Sequence, residues 1–143
     1  MASGLYVETF EAALKNDLAL DMDNDTFKCM LVTASYTPNF DTHTNKSDVT
    51  NELPASGNYT AGGNTLTSVA MTSGSGSIKW DADDTSWTNS TLSGVAGAVI
   101  YDDTVTNDRL IAFIDFGGAF STTSGTFQIQ WDTAGIFTLD LTP

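Results

Sequence analysis

The chain has 143 residues, with five Lys+Arg against 18 Asp+Glu and a formal net charge of −13. That length suits one domain able to bury about two-thirds of its unfolded surface without disulfides or a structural metal. One Arg and four Lys cannot neutralise a run of phosphates, so the composition argues against nucleic acid and an anionic membrane surface as partners.

Cys29 is the only cysteine and His43 the only histidine, which excludes an intrachain disulfide framework, a multi-Cys zinc site and a poly-His metal site. Thr (22) and Ser (13) dominate, beside 12 Gly and 41% hydrophobic residues, a composition that favours β-structure with a genuine core. Neither a basic leader nor a long apolar run opens the chain, so no signal peptide and no membrane span is expected. The Asn-x-Ser/Thr sequences at Asn24, Asn45, Asn58 and Asn89 then carry no weight as glycosylation sites.

One helix is predicted, over residues 7–20. Val7, Phe10, Ala13, Leu14 and Leu18 recur at spacings of three and four, and Glu8 and Glu11 favour its first turns. The run from Asp21 to Asp25 stops it. Short strands follow at 26–33, 65–71, 77–80, 86–90, 95–101, 110–116, 126–131 and 136–141, with turn residues between them. The stretch from Phe127 to Trp131 alternates apolar and polar, as a half-buried strand does. The expected fold is one all-β domain spanning residues 1–143, an antiparallel β-sandwich or jelly-roll-like barrel with one short N-terminal helix.

Two segments stand outside that core. Residues 1–6 read as an N-terminal arm. Residues 35–63 are polar and turn-rich, and are too long for a simple strand connection. Yet these segments carry Leu5, Tyr6, Tyr36, Phe40, Val49, Leu53 and Tyr59, apolar groups that a solvated loop has little reason to hold. They are the candidate protein-interface residues, docking into shallow grooves of a neighbour. The alternative is that they fold back on the sheet as a lid.

Catalytic and metal signals are weak. A nucleophile–base pair needs His43 beside a hydroxyl or Cys29, but His43 lies in a polar loop and Cys29 in mid-strand. No nucleophile elbow, phosphate loop or dinucleotide glycine fingerprint is present, so no enzyme activity, catalytic residue or cofactor is expected. The run from Asp21 to Asp25 opens like a calcium loop but has Thr26 and Val32 where Gly and Glu are needed. Loose calcium sites there, at Asp81–Asp84 or at Asp102–Asp103, compete with the simpler reading of solvated turn acids. Trp80, Trp87 and Trp131 could form a carbohydrate-stacking platform, though strand placement favours a core role for at least two.

The ordered set Ala82-Asp-Asp-Thr-Ser-Trp87, Ala98-Val-Ile-Tyr101, Leu110-Ile-Ala-Phe-Ile-Asp-Phe-Gly117, Gly125-Thr-Phe-Gln-Ile-Gln-Trp131 and Gly135-Ile136 carries a resemblance. Upstream it includes Asp25-Thr-Phe-Lys-Cys-Met-Leu-Val32, Ser35-Tyr-Thr-Pro38, Asp48-Val-Thr-Asn-Glu52 and Tyr59-Thr-Ala-Gly-Gly63. The chain resembles small virion structural proteins of tailed bacteriophages, some similar to capsid decoration (cement) proteins. The resemblance implies a non-enzymatic protein on the virion's capsid surface, made in the host bacterial cytoplasm and bound to the major capsid protein. It further implies a homo-oligomer, with a trimer matching a three-fold site. The alternative is a tail or fibre module binding host-surface glycan.

Overall fold

The computed structural model describes residues 2–142. Its ten strands are β1 (Gly4–Leu5), β2 (Phe27–Thr33), β3 (Asn64–Thr65), β4 (Ala70–Gly74), β5 (Ser77–Asp81), β6 (Thr85–Ser90), β7 (Val95–Asp102), β8 (Arg109–Phe120), β9 (Gly125–Ile129) and β10 (Phe137–Asp140). One helix, α1 (Val7–Leu14), follows β1. The fold is all-β and sandwich-like: a five-stranded antiparallel sheet in the order β1-β8-β7-β2-β3, with smaller sheets β10-β5-β4 and β6-β9.

Side chains on successive strand residues point to opposite faces, so a strand between two covered faces must be apolar throughout. β7 is such a strand, with all eight residues buried. On one face, Phe27, Cys29, Leu31, Ala98 and Ile100 pack with Trp80, Trp87 and Ile129 of the smaller sheets. The Phe27 and Trp80 rings meet edge-on at 4.9 Å, and Trp80 Nε1 donates to the Met22 carbonyl at 2.8 Å. On the other face, Met30, Val32, Val99, Tyr101, Leu110 and Phe113 pack with Tyr6 and Tyr36. The five-stranded sheet is thus the middle layer.

The helix is shorter than its sequence pattern predicts. Asn16 takes a left-handed conformation (φ 64°), and the Asp17 and Leu18 amides both donate back to the Ala12 carbonyl, which closes the helix end. Leu18 and Leu20 return half-buried in the turn, and Leu14 is left 90% exposed.

The strand predicted over 65–71 is instead two elements, β3 and β4, broken where Ser68 turns left-handed (φ 56°). β4 and β5 form a hairpin through Ser75 and Gly76, both with positive φ, as the two-residue turn that matches strand twist requires. Asp115 to Gly118 reads in sequence as a strand end. β8 instead continues to Phe120, because Gly117 (φ 73°) lets the strand bulge and re-pair at Val95 with Phe120.

Candidate functional site

The expected arm and interaction loop are built into the fold. Gly4 and Leu5 pair with Phe113 and Ala112 of β8, so residues 4–5 are an edge strand rather than a free arm. Residue 1 lies outside the described residues. Tyr6, Tyr36, Leu53 and Tyr59 are buried, and Phe40 and Val49 pack partly buried against the second cluster. This corrects their placement on an exposed interface: the 35–63 segment folds back as a cover over the sheet.

Backbone ladders hold that cover in register. Leu53 N donates to Leu31 O and Thr33 N to Asn51 O, both at 3.0 Å, while Leu110 N donates to Thr44 O at 2.9 Å. Asp48 accepts the Thr44 and Asn45 amides at 2.8 and 2.9 Å, which holds its carboxyl below the usual range. The Tyr59 hydroxyl accepts the Leu31 amide at 2.9 Å and donates to Glu52 at 2.8 Å. Burial pushes that phenol up. Tyr6, Tyr36, Phe40, Val49, Leu53 and Tyr59 therefore act chiefly within the chain, because burying them covers apolar sheet surface that water would otherwise meet.

The sole histidine and the sole cysteine are each engaged within the fold. His43 stacks on Tyr36 and its Nδ1 lies 3.1 Å from the Tyr36 hydroxyl, which in turn meets the Tyr6 hydroxyl. The Asn39 amide also donates to Nδ1 at 3.3 Å, so this nitrogen acts as the acceptor and Tyr36 donates to it. Cys29 is fully buried in β2, and desolvation pushes its thiol up to about 12.

The acid clusters are turn-forming groups. Asp21 accepts the Asp23 and Asn24 amides at 3.1 Å each, which lowers its pKa together with the Asn24 side chain. Asp23 caps the Met71 amide and Asp84 the Trp131 amide. Asp102 accepts the Thr104 and Val105 amides. Among the described residues, no three of His, Cys, Asp and Glu converge on a common metal position.

An open apolar groove of about 670 Å³ lies between the β1–β8 edge and the β9–β10 side. Ile114, Phe116, Phe127, Ile129 and Ile136 line its interior, with the Phe116 and Phe127 rings 5.9 Å apart. Phe120 stands at its rim, 52% exposed. Leu5 is the one interface candidate from the sequence that lines it. The groove was hidden in the sequence because it joins residues from opposite ends of the chain. Its available signal was Phe116 and Phe120 flanking a Gly-Gly pair, aromatic residues beyond the length a buried strand needs.

The tryptophans do not share an exposed face. Trp80 and Trp87 are core residues, and only Trp131, half-buried, lines the groove. Compared with known protein families, curated proteins and solved structures, the chain has no match to any of the three.

Proposed function

We propose that the protein is a non-enzymatic virion structural protein of the capsid-decoration type, which binds the outer surface of the major capsid shell and stabilises it. One observation carries this: the surface holds an open apolar groove, and the chain's sole histidine and sole cysteine are used inside the fold. Such a groove can bind a protein segment, whereas no nucleophile–base pair is assembled for turnover. The resemblance in the strand and turn motifs supplies the virion setting. Added interface on assembled shells stabilises them by mass action, and a trimer at three-fold positions would multiply weak contacts.

The strongly negative charge supports the same role, since it keeps free copies apart until a specific surface is engaged. The glycan-binding alternative loses its simplest basis, because Trp80 and Trp87 are buried.

Cryo-electron microscopy of the particle that encodes the chain tests the proposal. Density for the protein on the head exterior, and heads that disrupt at lower temperature without it, are the expected results. Density confined to the tail, or absence from the particle, overturns the proposal.

A further inference from the structure

We propose that a polar cavity between the cover segment and the β7–β8 turn binds a neutral carbohydrate, a mono- or disaccharide. The site is separate from the apolar groove and from the tryptophans, and it does not depend on the docking role above.

The cavity has a volume of about 520 Å³, within the range of about 300–1,000 Å³ usual for small-molecule sites. Its walls are fixed by the backbone. The Lys46 amide donates to the Asp108 carbonyl at 2.9 Å, and Glu52 bridges to Val32 of β2. Lys46, Glu52 and Asp108 line the cavity and are each half-buried. Taking a charge part-way out of water is costly unless it gains a partner. Yet Lys46 Nζ sits 4.9 Å from the centroid of the Tyr101 ring and, among the described residues, meets no carboxylate or other acceptor oxygen. Glu52 Oε1 accepts the Tyr59 hydroxyl at 2.8 Å and the Gly62 amide at 2.6 Å, which fixes the carboxylate in place. Its Oε2, the Asp108 carboxylate and the Asn107 side-chain amide have no hydrogen-bond partner among the described residues. An ammonium, two carboxylates and an amide thus face one cavity, with Lys46 and Glu52 already held by the fold, so little ordering is left to do on binding.

The mixture of signs selects the ligand. Glu52 and Asp108 repel an anion, while Lys46 repels a cation. A hydroxyl both donates and accepts, so neighbouring sugar hydroxyls can accept from Lys46 and donate to Glu52 or Asp108. Each such bond has one ionised partner, which makes it stronger than a neutral one. Met30 and Val49 supply an apolar part of the lining, suited to the C–H face of a sugar ring.

The test is titration calorimetry of the full chain with glucose, galactose, mannose, N-acetylglucosamine, maltose and lactose, with glycine and glutamate as charged controls. At least one sugar should bind, with an affinity that salt changes little because the ligand is neutral. Amide chemical shifts should move at residues 45–49, 52 and 107–108. Lys46→Met should weaken binding at least about tenfold, about 1.4 kcal/mol. Asn107→Gly, which suits the left-handed backbone there (φ 67°), should weaken it as well, so the site is still tested if one variant fails to fold. Binding by none of the six sugars, stronger binding of glycine or glutamate, or shifts confined to other residues each overturn the proposal. Undiminished binding by the folded variants does so too. A chain that binds sugar but not heads would leave this site standing and overturn the decoration role, and the opposite pair of results would do the reverse.

Discussion

The hydroxyls of Tyr6 and Tyr36 lie 2.8 Å apart, buried, and tie the N-terminal strand to the cover segment. Tyr36 also meets Phe113 edge-on at 5.8 Å, so one side chain joins the cover to the middle sheet. Tyr36→Ala is expected to cost about 3–5 kcal/mol, the range for deleting a large buried aromatic. Tyr36→Phe should cost about 1–3 kcal/mol, by leaving buried partners unpaired. Denaturant unfolding measures both. Replacing residues 41–55 by a short Gly/Ser linker should abolish cooperative unfolding, because it removes Thr44, Asn51 and Leu53 from the ladders. A linker variant that melts like wild type would show the cover to be dispensable.

Strand positions were legible where side chains obey a local period: β2, β5, β6, β7 and β9 lie within a residue or two of expectation. The fate of the 35–63 segment was less legible. Its apolar residues signal burial, but spacing does not say whether the burying surface belongs to the same chain. That depends on the second face of β2 and β7, and their unbroken apolar runs were the available clue. The groove lies further from any local signal, since it is built from edges contributed by both ends of the chain.

Gly63 is required where the cover crosses β2. A Cβ there would lie 1.8 Å from the Cys29 carbonyl oxygen, and its φ of 78° disfavours any other residue. Gly63→Ala should lose more than about 2 kcal/mol of stability, since the atom it strikes is backbone. Gly74→Ala is the matched control, with nothing within 4 Å of its Cβ and no positive φ. It should shift the melting temperature little. Equal effects from the two substitutions would refute the close approach.

The tryptophans should separate by burial. Trp80→Ala and Trp87→Ala remove fully buried rings and are expected to cost about 3–5 kcal/mol each. Trp131 is half-buried and its Nε1, shielded from water, has no hydrogen-bond partner. Trp131→Phe discards that unsatisfied group, so it should cost under about 1.5 kcal/mol. Chemical denaturation of the three variants gives the order. A Trp131→Phe loss as large as the Trp80→Ala loss would place Trp131 in the core.

Asp102 makes stability depend on pH. Its side chain is buried at the end of β7, with Oδ1 accepting the Thr104 and Val105 amides. Its carboxyl also meets that of Asp25, and burial, with that neighbour, pushes its pKa up to about 7. The unfolded chain loses this proton near the ordinary Asp value of about 3.9. Between these values the fold holds a proton that the unfolded chain has released, so stability falls as pH rises through the window. Asp102→Asn keeps an oxygen for both amides and supplies a permanent N–H donor toward Asp25. Its melting temperature should therefore change less than wild type's between pH 4.5 and 7.5, and should exceed wild type's at the upper end. The chain's other acids give both proteins a common background slope. A variant whose slope equals wild type's would show that the Asp25–Asp102 pair does not hold the proton.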